Sequence, residues 1–182
     1  MAPLLLFIGG TAFFVWVSWQ ALHKPRSHGF TRFIAWECML ALVLLNFPRW
    51  TVDPYAARQL VSWALLLVSL VLAIHAVQLL RRIGQPSAAR HDAELLPFEK
   101  TSTLVTTGAF RYIRHPMYAA LLYLAWGAYL KDLSPVSTAL VAVASVALFL
   151  TALRDEAECQ QYFGMAYADY MKTSKRFIPF VF

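Results

Sequence analysis

From Pro3 to Leu22 the chain runs about twenty residues without a charge, and that length constrains the fold more than any other feature. At 1.5 Å per residue a helix of that size is about 30 Å long, the thickness of a bilayer's hydrocarbon core. Apolar runs recur at Phe33–Phe47, Leu60–Leu80, Met117–Leu130 and Val136–Leu153, with polar connections between them. In lipid each backbone N–H and C=O must be satisfied within the segment, so such runs form helices. The expectation is an all-α integral membrane protein. It is read as a single domain over residues 1–182, with five transmembrane helices at about 3–22, 33–47, 60–80, 117–130 and 136–153. The first run has no basic leader and no small-residue cleavage pattern, so it reads as a retained span and not a signal peptide.

Composition agrees: at 59% hydrophobic and 14% charged residues the chain is too apolar for a soluble domain. The net charge of +6 would suit nucleic acid only on a basic soluble face. Here the cations sit in the connections, where they orient the chain. With five spans, Arg49, Arg58 and Lys131 fall on one side and the other thirteen of the sixteen Lys and Arg on the other. The positive-inside rule then places the N-terminus outside, and the loop 81–116 and tail 154–182 in the cytoplasm, as in a bacterial inner membrane. Arg81-Arg82 reads as a stop signal. Cys38 and Cys159 form no CxxC pair, and no metal is expected. His23, His28 and His91 lie in basic or polar turns and are expected to be solvated.

Polarity concentrates in Thr106-Thr107-Gly108-Ala109-Phe110-Arg111-Tyr112-Ile113-Arg114-His115-Pro116-Met117-Tyr118. Pro116 is a favoured first helical residue, which puts His115 and Tyr118 on one face at a helix N-terminus, beside the Arg114 guanidinium. The free N–H groups there suit an anion. A lone Arg in that place would simply snorkel to lipid phosphate; the cluster asks for more. In the tail, Ala157, Phe163, Tyr167 and Tyr170 recur at helical spacing among charged residues, the pattern of an amphipathic helix. The apolar end from Phe177 to Phe182 is expected to pack back on the membrane domain. Glu37 and His75 lie inside apolar spans, where ionisable side chains are costly. They either border the Arg114 cavity as substrate contacts, or reach interfacial water and pack as a neutral imidazole, respectively.

The run Thr107-Gly108-x-Phe110-x-x-x-Arg114-His115-Pro116-x-Tyr118 resembles the signature of the integral-membrane isoprenylcysteine carboxyl methyltransferase and phospholipid methyltransferase group. A second match comes later in the chain, in the same order: Asp155-Glu156, Phe163-Gly164, Tyr167, Tyr170 and Pro179. Three positions depart from the pattern: Asp155 for the usual first Glu, Ala120 for Gly, and Cys159 for Leu.

The resemblance implies methyl transfer from S-adenosylmethionine to a lipophilic, membrane-embedded acceptor, foremost the carboxylate of an isoprenylcysteine-like molecule. The tail would cap the cofactor site. Arg114, His115 and Glu156 are the implied catalytic residues; Gly108, His115, Tyr118, Glu156, Tyr167 and Tyr170 would hold the cofactor; Arg114 would meet the substrate, and Glu37 and His75 join it as substrate contacts on the strength of their place in the apolar spans. An ethanolamine phospholipid or a thiol is the alternative acceptor within the group, with a neutral His115 then taking the proton. Readings of other classes are an NADPH-dependent sterol-type membrane reductase and a non-enzymatic membrane protein. Membrane lipids are expected partners.

Overall fold

The computed structural model describes residues 1–87 and 95–181; His91, Arg90 and Phe182 lie outside them, as does part of the 81–116 loop. The elements are α1 (Ala2–Leu22), α2 (His28–Asn46), α3 (Ala57–Arg82), α4 (Pro116–Tyr129), α5 (Pro135–Phe163) and α6 (Met165–Thr173). Local chemistry accounts for several starts. Ser27 Oγ accepts from Phe30 N and caps α2, Ser134 Oγ accepts from Ser137 N and caps α5, and Pro116 and Pro135 open α4 and α5.

Helices α2 and α5 pack together, as do α3 and α4, and α1 lies against α2. The contacts run through small residues: Ala35, Ala119, Ala125, Ala128, Ala144, Ala147 and Ala152 are all buried in one core. Between lipid-facing helices, close backbone approach and interhelical hydrogen bonds replace the hydrophobic drive. Ser62 Oγ donates to Gly127 O and Ser69 Oγ to Ala120 O, both at 2.7 Å, locking α3 antiparallel to α4. Thr151 Oγ1 donates to Thr31 Oγ1 at 2.9 Å and joins α5 to α2. Outward-facing Leu67, Val68, Leu70 and Val71 are exposed, as a lipid-facing surface requires.

Four helices, α1, α2 with its short continuation to Arg49, α3 and α5, are long and apolar enough to cross a membrane. The expected fourth span is shorter: α4 has 14 residues, about 21 Å against the roughly 30 Å of hydrocarbon. The second starts earlier than expected, at His28, because Ser27 caps it there. The tail also differs. Residues 154–163 continue α5 without interruption, and the backbone breaks only at Gly164, where φ is +60°. Helix α6, nine residues long, begins directly after that break. The polar sequence beyond Arg154 changes the surroundings of the helix, not its hydrogen bonding.

The bundle has two chemically distinct ends. At one, Asn46 Nδ2 donates to Ala128 O at 2.9 Å, and a fully buried Lys131 donates to Gln59 Oε1 at 3.0 Å beneath the ring of Trp63. At the other, the start of α2, the end of α3, the start of α4 and the last turns of α5 converge.

Candidate functional site

The loop between α3 and α4 is shaped by backbone pairing. It leaves α3 at Gly84 and returns to it, Ser102 N and Thr103 N both donating to Gly84 O. A short 3-10 turn, Gly108–Arg111, then presses on α3. Gly108 has φ +59°, and a Cβ there would lie 2.7 Å from Leu79 Cδ1 and 2.8 Å from His75 Nε2. His75 Nε2 in turn accepts from Ala109 N at 3.4 Å. The chain next runs beside the tail: Arg114 N donates to Lys175 O at 2.8 Å, and Lys175 N to Tyr112 O at 2.9 Å. His115, with φ −122° and ψ 59°, turns the chain into α4.

These constraints deliver a buried ionic hub. Glu156, 5% exposed on α5, receives Arg114 Nε at 2.7 Å on Oε1 and a two-pronged contact from Arg176, Nε on Oε1 and Nη2 on Oε2, each at 2.9 Å. His115 Nε2 lies 3.2 Å from the same Oε1, while its Nδ1 lies 3.3 Å from Asp155 Oδ2. Burial by itself would lower the His115 pKa. The hydrogen bonds and charges of Asp155 and Glu156 outweigh it and raise the value above the usual 6.5. Arg114 Nη1 donates to Ser174 O at 2.7 Å, and Tyr170 Oη to Phe110 O, so tail and loop are sewn together. Burial pushes the Tyr167 and Tyr170 hydroxyls well above the ordinary phenol value, and both stay neutral.

Beside the hub lies a cavity of about 100 Å³ that is open on one side. Arg114, His115, Tyr118, Asp155, Cys159, Tyr167 and Tyr170 contribute its polar wall; Leu80, Leu104, Val105, Phe110, Met117 and Phe163 are among the apolar part. The His115 and Tyr118 rings are stacked, with centroids 5.4 Å apart.

Of the residues singled out from the sequence, Arg114, His115, Tyr118, Tyr167 and Tyr170 therefore share one cavity, and Glu156 stands behind Arg114 and His115 as their anchor. Gly108 and His75 meet each other at the 3-10 turn, outside the cavity lining. Glu37 faces α1, where Thr11 Oγ1 donates to its Oε2 at 2.8 Å. His28 is a correction: it is fully buried, with Nδ1 2.5 Å from Glu158 Oε2, because α2 starts there and packs its first turn on α5. His28, Asp155 and Glu158 bring ligand-type atoms within 4.8 Å of one another.

Sequence reasoning missed Arg176, Glu99 and Arg32. Arg176 follows Lys175 in a basic tail and read as an orientation charge; its spacing from Glu156, 20 residues, carries no periodic signal. Glu99 lines the cavity from the loop and pairs with Arg32 of α2.

The model of the isoprenylcysteine carboxyl methyltransferase family matches residues 67–162, more than half of the chain and the stretch that holds Arg114, His115, Tyr118 and Glu156. The chain belongs to that family. It is similar to the protein-S-isoprenylcysteine O-methyltransferase of Dictyostelium discoideum, 25% identical over 169 residues that cover 91% of this chain and 70% of that protein. The Xenopus laevis protein of the same name is 25% identical, covering 88% of this chain and 58% of its own length. Protein-S-isoprenylcysteine O-methyltransferase A of Arabidopsis thaliana is 29% identical over 107 residues, covering 57% and 54%. The chain thus spans little more than half of the latter two relatives. No solved structure gives a significant match.

The donor set fits the cofactor that such a methyltransferase uses. S-adenosylmethionine brings an ammonium, a carboxylate, a ribose and an adenine. The cavity answers with carboxylates at Asp155 and Glu99, the Arg114 guanidinium, the His115 imidazole and an apolar wall. The Tyr118 hydroxyl makes no hydrogen bond among the described residues, which leaves it available to a ligand oxygen.

Proposed function

We propose that this protein transfers a methyl group from S-adenosylmethionine to the carboxylate of an S-isoprenylcysteine-type acceptor held at the membrane. The observation that carries the reading is the convergence of Arg114 and His115 from the start of α4 with Glu156 from α5 at the end of an apolar helical bundle. When bound, the cofactor supplies a methyl on a sulfonium; the acceptor's carboxylate oxygen forms the new bond as the carbon–sulfur bond breaks, leaving a methyl ester and a thioether.

The chain's own part is alignment, charge and water exclusion. Arg114 is fixed through Nε and Nη1, so its remaining Nη2 is presented to the acceptor carboxylate in a set direction. His115, Tyr118, Tyr167 and Tyr170 hold the cofactor's polar groups, with Gly108 setting the turn that places them. Glu156 holds Arg114, His115 and Arg176 together. Tyr167 and Tyr170 of α6 line the site, which supports a tail that caps it.

The state of His115 supports a carboxylate acceptor over an amine or thiol. Each ring nitrogen already faces a carboxylate, so neither is turned toward an incoming amine or thiol to take its proton. A carboxylate nucleophile needs no general base.

In this reading α4 completes a fifth crossing, and the charge distribution supports a cytoplasmic site and tail, in a bacterial inner membrane.

The test uses detergent-purified protein titrated with S-adenosylmethionine, S-adenosylhomocysteine and NADPH, followed by transfer of labelled methyl to an N-acylated S-farnesylcysteine. The expected results are binding of the first two and a base-labile ester product. Failure to bind either sulfur nucleoside overturns the reading, and NADPH binding in their place points to a reductase. A base-stable product moves the acceptor to an amine or thiol.

A further inference from the structure

Arg32 sits in the second turn of α2, outside the family-matched segment 67–162. It is 2% exposed, and its guanidinium lies 5.0 Å from the Trp36 ring centroid. Its Nη1 donates to Glu99 Oε2 at 2.7 Å, and the same oxygen accepts from Leu96 N at 2.9 Å. Burying a guanidinium and a carboxylate costs several kcal/mol per ion before their attraction is counted, so a buried pair is weak evidence for stability alone. A role in recognition accounts for its place, because Glu99 is a lining residue of the cavity that holds Arg114 and His115.

The two carboxylates of that wall are differently committed. Asp155 uses Oδ2 toward His115 Nδ1, and Cys159 Sγ points at its Oδ1 from 3.7 Å. The Arg32 and Leu96 bonds to Glu99 both fall on Oε2, and Oε1 is outside them. These contacts orient the carboxyl group of a cavity-lining residue and leave Oε1 outside the pairing. A carboxylate oxygen pairs most strongly with a cationic N–H donor. The same cavity offers Arg114 and His115 to an anion, so a zwitterionic amino-acid head meets groups of both signs.

We propose that Glu99 is a cofactor-binding residue that takes the α-ammonium group of S-adenosylmethionine through Oε1, and that Arg32 is its positioning residue. The proposal rests on the methyltransferase reading above. It makes the N-terminal half, through α2, a contributor to the cofactor site that the family-matched segment does not contain.

The experiment measures equilibrium binding, not turnover, on the full chain in detergent. Two probes are used: S-adenosylhomocysteine and its deaminated analogue, in which hydrogen replaces the α-amino group. The unaltered protein binds the amino form at least tenfold more tightly. Glu99→Gln, isosteric and uncharged, loses at least tenfold for the amino form and less than twofold for the deaminated one, so the preference collapses. Arg32→Met reproduces that selective loss, and Arg32→Lys restores part of it. The deaminated probe doubles as the folding control; should Glu99→Gln fail to bind it, Glu99→Asp is read in its place. Parallel weakening of both probes in a folded variant, or no weakening of either, overturns the proposal while leaving the methyltransferase reading intact. If the unaltered protein binds neither probe, that reading falls and this proposal with it.

Discussion

Arg176 grips Glu156 with two parallel contacts, Nε to Oε1 and Nη2 to Oε2, each 2.9 Å long. The carboxylate so held is the one that also receives Arg114 and His115. The tail is therefore part of the site's electrostatics and not only its cover. Removing one partner of a buried ion pair strands the other, at a cost of about 3–5 kcal/mol when burial is complete. Arg176 is partly exposed, at 17% of its side chain, so Arg176→Ala is expected to cost nearer to about 2 kcal/mol. It is also expected to lower turnover at least tenfold by releasing Arg114. Arg176→Lys should recover little, because an ammonium cannot reproduce the two-pronged fit. Thermal unfolding with turnover on each variant checks this; wild-type turnover in Arg176→Ala would count against the hub.

The two glycines with positive φ predict different outcomes. At Gly108 a Cβ meets Leu79 and His75 below 3.0 Å, whereas at Gly164 nothing lies within 4 Å. Gly164→Ala should cost backbone strain alone, roughly 1–2 kcal/mol. Gly108→Ala adds a steric clash that pushes the 3-10 turn off α3, shifting Phe110 and the Tyr170 contact with it. The expected signature is a raised KM for the cofactor in Gly108→Ala and an unchanged one in Gly164→Ala, read from initial rates.

Much of this architecture is legible in the sequence, for a physical reason. A bilayer imposes a minimum length on apolar runs, so α1, α3 and most of α2 and α5 announce themselves, and Pro116 marks the start of α4. The motif residues Arg114, His115 and Tyr118 are close in sequence and thus close in space on a helix start. What escapes is set by tertiary contact. The far end of α5 continues through charged residues because hydrogen bonding ignores the change from lipid to a polar surrounding, and only Gly164 breaks it. The Arg32–Glu99 pair joins positions 67 residues apart, and His28 is buried by α5 although its local sequence is that of an exposed turn.

Protonation of His115 links stability to pH. Its pKa is raised in the folded protein by Asp155 and Glu156, against the opposing effect of burial. The stabilisation is therefore fully present below the unfolded value near 6.5 and is lost as pH rises through the raised folded value. Arg114, Arg176 and the Tyr118 ring also face this imidazole or its carboxylates. Melting temperature should fall with pH above neutrality in the unaltered protein, and the slope should flatten in His115→Gln. A slope of opposite sign would mean that the ring is neutral in the fold.

Glu37 bears on the substrate side. Its Oε2 accepts a hydrogen bond from Thr11 across the α1–α2 contact, a bond that an amide oxygen can also accept. Glu37→Gln should leave turnover and acceptor preference within about twofold, while Glu37→Leu, which removes the acceptor and leaves Thr11 unmatched, should lower stability by about 1 kcal/mol. A changed acceptor preference in Glu37→Gln would return this residue to the substrate path.

The short α4 makes the number of crossings a measurable quantity. Its start lies at the hub, and its end is tied to the opposite pole of the bundle, where Asn46 bonds Ala128 O and Asp132 O. If the helix completes a passage, the exposed Leu133 and the exposed Lys172 of α6 lie on opposite faces of the membrane. Single cysteines at these two positions, in a background with Cys38 and Cys159 replaced by Ser, should react with an impermeant maleimide from opposite sides of sealed cells or inverted vesicles. The positive-inside distribution assigns Leu133 to the outer face and Lys172 to the inner one. Labelling of both from one side would make α4 a re-entrant helix that returns to the face it left.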